Sequence, residues 1–322
     1  RECSYCYIQG RLEDIESYHP ELAEVLYALG RIADRESKSQ LAADYYQRCL
    51  DQTPDHLYAL LELGLLHIKN EAYEDAIELH QRVLDQDPFM SEAHISLARS
   101  HHAIGDKARA KQYLEAALGI NTHNEEALYW RGLWQWQDDN DVDAAIETFE
   151  KGLDHPVHGD SALLLSGLAR LHDKQLNEPD KAKTYYEKSL KVKLDNPTTF
   201  RLYVQLLEQH YQDIGEVQNQ YERYLSLQPT DPTVYLAYAD FLIKYFQNHE
   251  AAYAVLDNAL NNGIESEALR RRFDQLDELI DTSGHGGSGG ADSHSEHSTS
   301  VEDDEDDDDD NDFSGGVAAG DN

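Results

Sequence analysis

Cysteine and methionine are nearly absent from this sequence of 322 residues, which contains three cysteines and one methionine. So few thiols cannot form a disulfide scaffold, and their scarcity favours a reducing compartment. No apolar run is long enough to span a membrane. The sequence has no secretory signal at its start, and we expect a cytoplasmic location. Because it begins with Arg1, we also expect that an N-terminal part precedes it.

Basic residues are scarce, with 27 lysines and arginines against 63 acidic residues and a net charge of −36. The segment from Asp281 onward holds 14 acidic residues and no lysine or arginine. The remaining chain has 49 acidic against 27 basic residues, so it still carries 22 net negative charges. An acidic protein repels a phosphate backbone, and we expect no nucleic-acid partner. Solubility is the simplest interpretation of the charge.

Sequence motifs for catalysis or cofactor binding are also missing. There is no P-loop pattern and no H-E-x-x-H pattern. A glycine-rich run from Ser283 to Gly290 matches G-x-G-x-x-G by letters, but neither the strand nor the helix that the motif requires flanks it. Cys3 and Cys6 supply only two of the four ligands of a structural zinc site, and helix packing is their simpler interpretation. Upstream residues could complete such a site. We expect no enzyme activity, cofactor or metal.

What the sequence does contain is a repeat of 34 residues, best seen from Leu57 to Pro88. Leucines at 57, 60, 63 and 66 follow the spacing of one helix face, and Asn70 interrupts that pattern. A second helical pattern then runs from Tyr73 until Pro88, whose ring cannot continue a helix. The windows starting at 23, 57 and 91 agree in three columns: Gly30, Gly64 and Ala98; Ala42, Ala76 and Ala110; and Pro54, Pro88 and Thr122.

This helix–turn–helix unit resembles the tetratricopeptide repeat (TPR), whose pattern places a small residue, an alanine and often a proline in these columns. The resemblance implies an all-α fold, a right-handed α-solenoid of about seven repeats. Later repeats start near residues 125, 162, 197 and 231. The fourth repeat and the turn of the fifth each contain one extra residue, and the sixth is degenerate.

The domain prediction is a repeat solenoid over residues 1–280 followed by a tail over residues 281–322. Residues 1–20 are interpreted as the second helix of a repeat whose first helix lies upstream. A polar helix over residues 266–280 would close the open end of the array. The tail is rich in Gly, Ser, His and Asp, and we expect it to be disordered because it has too few apolar residues to offset the entropy of ordering.

The resemblance also predicts a binding surface, because four positions of the first helix of each TPR line a concave groove. Over the second to fourth repeats, the residues predicted to bind a partner are Tyr58, Leu61, Leu65, Ile95, Arg99, His102, Tyr129, Leu133 and Trp136. We expect a protein or peptide partner. The lysines and asparagines that clamp a carboxylate in chaperone-binding members are absent from the equivalent positions, so that subclass is excluded.

We therefore interpret the chain as a non-catalytic scaffold or adaptor that binds a peptide or a helix in the groove. An accessory repeat domain of a larger enzyme or secretion and assembly protein, whose N-terminal part is missing here, is the main alternative. A third hypothesis assigns the function to the acidic tail, which could shield a basic partner.

Overall fold

The computed structural model describes residues 12, 22–36, 38–154, 160–264 and 266–284. They form fifteen α-helices and no strand. The helices are α1 Ala23–Arg35, α2 Ser39–Gln52, α3 Leu57–Lys69, α4 Tyr73–Gln86, α5 Ser91–Ala103, α6 Lys107–Ile120, α7 Glu125–Gln137, α8 Val142–Leu153, α9 Ala162–Lys174, α10 Pro179–Val192, α11 Pro197–Leu206, α12 Ile214–Leu225, α13 Pro232–Phe246, α14 His249–Asn261 and α15 Glu267–Gly284. A π-helical turn, Leu207–Tyr211, follows α11 directly.

These helices belong to two compact units, the first containing α1 to α8 and the second α9 to α15. In the first unit each odd-numbered helix packs against the even-numbered helix that follows it. Each such pair is one hairpin of about 34 residues, as the sequence predicted. The all-α class and the TPR-like hairpin are confirmed.

Small residues lie where the two helices of a hairpin cross, and the geometry shows what they accommodate. A Cβ atom added to Gly30 would lie 2.5 Å from the ring of Tyr46, and one added to Gly132 would lie 2.5 Å from the ring of Phe149. The third hairpin has Ala98 where the others have glycine, and its second helix buries Leu114 at the ring position. A ring against glycine and a leucine against alanine therefore fill similar space.

The turns between paired helices need one residue in the left-handed conformation. Glu71 and Gly105 take this role at the same position of the second and third hairpins, with φ of 60° and 86°. In the fourth and fifth hairpins the left-handed residues are Asn140 and Asn177, one position later. The extra residue in each of these repeats is therefore absorbed in the turn, and the helices keep their packing.

Large aromatic side chains distinguish the second unit. In the sixth hairpin of the chain, formed by α11 and α12, Phe200 of α11 stacks on Tyr224 of α12 with the ring centroids 4.0 Å apart. The helix α15 packs on α13 and α14, where it buries Leu269 and Leu276 and stacks Phe273 on Tyr253. It thus covers one side of the last hairpin of the second unit.

Apart from residue 12, the predicted N-terminal half-repeat lies outside the described residues, and so do Cys3, Cys6 and the tail beyond residue 284. No helix of the described part combines the length and apolar composition needed to cross a bilayer. The described residues also contain no cluster of three or more potential metal ligands.

Candidate functional site

The predicted binding residues lie on α3, α5 and α7, the first helices of three successive hairpins of the first unit. We call the surface formed by Tyr58, Leu65, Arg99, His102, Tyr129 and Trp136 the first-helix face. Tyr58 is the most accessible of these residues, with 54% of its surface exposed. The other five are partly buried.

Three predicted contact residues are not on the surface, and the sequence-based assignment is corrected for them. Leu61, Ile95 and Leu133 expose only 9%, 2% and 2% of their surface. The reason is that a first helix is covered on more than one side; α3, for example, packs against α2, α4 and α5. Its exposed stripe is therefore narrower than the family positions imply. The side chains of these three residues therefore lie beneath the face and belong to the core.

At the N-terminal end of the face, aromatic rings of neighbouring hairpins lie side by side. The ring of Tyr27 is 6.3 Å from that of Tyr58 and 5.0 Å from the imidazole of His56. Beside them, Arg31 and Glu62 form an ion pair of 3.9 Å. Burial raises the pKa of Glu62, and the charge of Arg31 opposes that rise. This end presents a ring surface next to a cation that already has a partner.

In the middle of the face, Arg99 is held by the next hairpin. Its guanidinium lies 3.4 Å from a carboxylate oxygen of Glu126 and 5.1 Å from the ring centroid of Trp130. Trp130 donates its indole N–H to the same oxygen of Glu126 at 3.4 Å. The cation–π contact and the ion pair fix the orientation of Arg99.

At the far end, His102 stacks flat on Trp134, with centroids 4.4 Å apart and an angle of 2° between the planes. Its Nε2 lies 2.6 Å from Oδ2 of Asp138, whose other oxygen accepts a hydrogen bond from Lys107 at 2.8 Å. Burial alone would raise the pKa of Asp138, but hydrogen bonds from Lys107 and His102 outweigh it and lower the pKa. An ionised carboxylate can only accept a hydrogen bond, so Nε2 of His102 is the donor in this contact.

The sequence did not indicate the roles of Asp138 and Trp130. Asp138 follows α7 in the turn, where no pattern distinguishes it from other surface acids. Trp130 lies one residue from the predicted position Tyr129, and the presence of all three tryptophans on α7 was the available signal. Phe89, the most exposed large apolar residue described in the first unit, was also not predicted; it lies in the turn before α5.

Family comparison agrees with this architecture. Models described as tetratricopeptide repeat match residues 27–91, 67–131 and 164–196. These matches confirm that the chain contains tetratricopeptide repeats in both units. Arrays of such repeats serve as scaffolds for protein interactions, and the repeats place this chain in that class of protein.

Individual relatives are distant. The chain is 29% identical over 125 residues to the photosystem I assembly protein Ycf3 of Rippkaea orientalis, which covers 38% of this chain and 71% of that protein. With Ycf3 of Cyanophora paradoxa it shares 28% identity over 103 residues, covering 31% of this chain and 58% of that protein.

Two solved structures show the same fold at low identity. Yeast Tom70 superposes with a TM-score of 0.65 at 11% identity, over 87% of this chain and 59% of Tom70. A thermophilic TPR protein of Thermus thermophilus gives a TM-score of 0.50 at 21% identity, over 58% of this chain and 99% of that one.

Proposed function

We propose that the chain is a non-catalytic scaffold that binds a peptide or an amphipathic helix on the first-helix face. The observation that carries the proposal is a half-exposed tyrosine, Tyr58, together with the partly exposed Leu65, Tyr129 and Trp136 on the first helices of the second and fourth hairpins. Aromatic residues that stay accessible next to a packed core are typical anchors of protein interfaces.

The charges of the face indicate how a partner is recognised. Arg31 and Arg99 already pair with Glu62 and Glu126 of neighbouring hairpins. Neither arginine offers an unpaired cation to a carboxylate, which agrees with the missing carboxylate clamp. We therefore expect apolar side chains of the partner, spaced along one helix face or an extended strand, to supply most of the binding free energy.

The test begins with a partner isolated by pull-down from native extract, and its affinity is then measured with purified protein. The tryptophans of the chain are all on α7, so their fluorescence reports binding at this face directly. Tyr58→Ala and Tyr129→Ala should each weaken binding by ~2 kcal/mol or more if they are hot spots. Phe89→Ala is the matched control, because it removes an exposed ring from a turn outside the face.

A fold control separates binding from stability. Ala76 is fully buried between helices, and Ala76→Leu should destabilise the hairpin by roughly 1–3 kcal/mol through overpacking. Tyr58→Ala should leave the melting temperature nearly unchanged. If Tyr58→Ala and Tyr129→Ala unfold the protein, or if neither changes the affinity, the first-helix face is not the binding surface.

A second candidate is a role in assembling a larger complex, as an accessory repeat domain. Its support is the similarity to Ycf3, which is named for the assembly of photosystem I. An assembly factor binds its client transiently. Pulse-labelling followed by immunoprecipitation should then recover newly made client and little of the mature complex, whereas a permanent scaffold would recover both equally.

A further inference from the structure

A second surface, in the second unit, combines a basic helix with an apolar cavity. Helix α10 and the residue after it contain five lysines within 13 positions, in a body that is otherwise strongly acidic. Lys181 and Lys183 are paired with Glu178 and Glu187. Lys191 and Lys193 are exposed, and within the described residues neither forms an ion pair.

The cavity has a volume of about 400 Å³ and lies between α10, α11 and α12. Its walls include the rings of Phe200, Tyr203 and Tyr224. Two leucines at its mouth, Leu194 and Leu227, expose 51% and 45% of their surface. Cavities of roughly 300–1,000 Å³ with apolar walls and a few polar groups are typical ligand sites.

The charged groups around the cavity favour an anionic occupant. Lys191 and Arg223 line it, and within the described part of the chain Arg223 has no ion-pair partner. The acid that lines it, Glu187, already accepts a hydrogen bond from the hydroxyl of Tyr203 at 3.0 Å and lies 4.0 Å from Lys183. Asp195, beyond the end of α10, accepts one from Tyr224 at 3.4 Å. The cations are thus available, while both acids are engaged by tyrosines.

The chain itself contains a segment of matching chemistry. Residues 302–310 are nine consecutive acidic residues, and Phe313 follows them closely. Seventeen residues lie between Gly284, at the end of α15, and Glu302. Such a linker reaches ~60 Å when extended and has a mean span of ~25 Å when flexible. Helix α15 contacts α13, which contacts α12, and packed helices lie about 8–10 Å apart, so the cavity is within reach.

We propose that the segment Glu302–Phe313 docks on this surface of its own chain. Phe313 occupies the cavity against Phe200 and Tyr224, and the acidic run lies along Lys191, Lys193 and Arg223. Tethering gives an effective concentration of about millimolar, so a weak contact is enough to keep the surface occupied.

The test uses the full chain with photoreactive benzoylphenylalanine in place of Leu194, whose exposure lets the new side chain be accommodated. Illumination at low salt, followed by proteolysis and mass spectrometry, should give an intramolecular crosslink to residues 302–317. Leu41 provides the matched control position, since it is a leucine with 43% exposure on a second helix of the first unit. The same photoreactive group there should give no tail crosslink.

Charge and ring variants then test the two halves of the proposal. Lys191→Glu, Arg223→Glu and Phe313→Ser should each lower the crosslink yield at least about threefold, and ~0.5 M salt should do the same. Lys151→Glu changes the net charge equally at an exposed site of the first unit and should leave the yield unchanged. Crosslinks between chains only, equal yield in Arg223→Glu, or a tail crosslink of equal yield from position 41 would overturn the proposal.

Discussion

His80 fills the space opposite the small residue of its hairpin, but burial of its imidazole ring costs stability. It occupies the position that Tyr46 and Phe149 fill in other hairpins, and a Cβ atom added to Gly64 would lie 2.6 Å from its ring. The side chain is fully buried, its Nε2 lies 3.3 Å from the carbonyl of Leu61, and its Nδ1 has no hydrogen-bond partner within the described structure. Burial, the largest cause, lowers the pKa of His80 to about 4.

This buried histidine predicts a pH dependence of stability. Between about pH 6.5 and 4 the unfolded chain binds a proton at His80 while the folded chain does not, so stability falls as the pH falls. At about pH 5 the loss from this group should be roughly 2 kcal/mol relative to pH 7. His80→Phe should remove most of that loss, because Phe149 already fits this position. Urea unfolding at both pH values measures it.

The control for that experiment is His249→Gln, which removes an exposed histidine from the second unit. It should preserve the difference between the two pH values. An unchanged pH dependence in His80→Phe would show that other groups cause the acid sensitivity.

Replacing either of two helical glycines by alanine should change the stability of the fold, but in opposite directions. Gly64→Ala should destabilise the fold by roughly 1–3 kcal/mol, since the new methyl group meets the ring of His80. Around Gly119 of α6 there is open space. Gly119→Ala should therefore stabilise the fold by about 0.5–1 kcal/mol through helix propensity. Chemical denaturation of the two variants measures both changes in unfolding free energy. Changes of the same sign would contradict the packing around these glycines.

At the scale of helices, the ends differ in how well they are capped. Asp106 and Asp141 each accept a hydrogen bond from the backbone N–H three residues later, at the start of α6 and α8. Ala72 holds the same place before α4, with φ −85° and ψ 66° close to the −81° and 68° of Asp106, but it has no side-chain acceptor. The backbone before α4 therefore has the conformation of a capped helix start, but the side chain of Ala72 cannot accept the capping hydrogen bond.

Ala72→Asn should stabilise the fold by roughly 0.5–1 kcal/mol by supplying this acceptor. Asparagine is chosen over aspartate because Glu74 and Asp75 follow, in a chain that is already strongly negative. Asp141→Ala is the converse and should cost ~1 kcal/mol. Thermal unfolding compares the two, and a Tm lowered by Ala72→Asn would rule out the cap geometry inferred here.

The hairpins could be predicted from the sequence because small residues and prolines recur at fixed positions. The sixth hairpin could be predicted as degenerate, but its π-helical turn could not, because the residues Leu207–Tyr211 carry no sequence pattern that distinguishes a π-helix from an α-helix. For the binding face, the position of each residue within the repeat showed which residues lie on first helices. The same position could not show that Ile95 and Leu133 are buried, because burial depends on how the next hairpin packs.

For the whole molecule, the net charge of −36 sets the response to salt. Excess negative charge repels itself most strongly in the compact state. Raising NaCl from about 0.02 to 0.3 M shortens the Debye length from ~20 to ~6 Å and should raise the Tm by a few degrees. A scanning calorimetry series tests this. A steady fall of Tm over that range would mean that screening of favourable ion pairs dominates.

The contact between the small residue at each helix crossing and the side chain that faces it limits how such an array can change over generations. In the first four hairpins, a glycine faces a ring and an alanine faces a leucine. A mutation at one partner alone either clashes or leaves a void, so each partner constrains which mutations the other tolerates. Exchanging α1 with α5 would set Ala98 against Tyr46 and Gly30 against Leu114. Single helices of these hairpins are thus not interchangeable, and whole hairpins are the units that recombination can move.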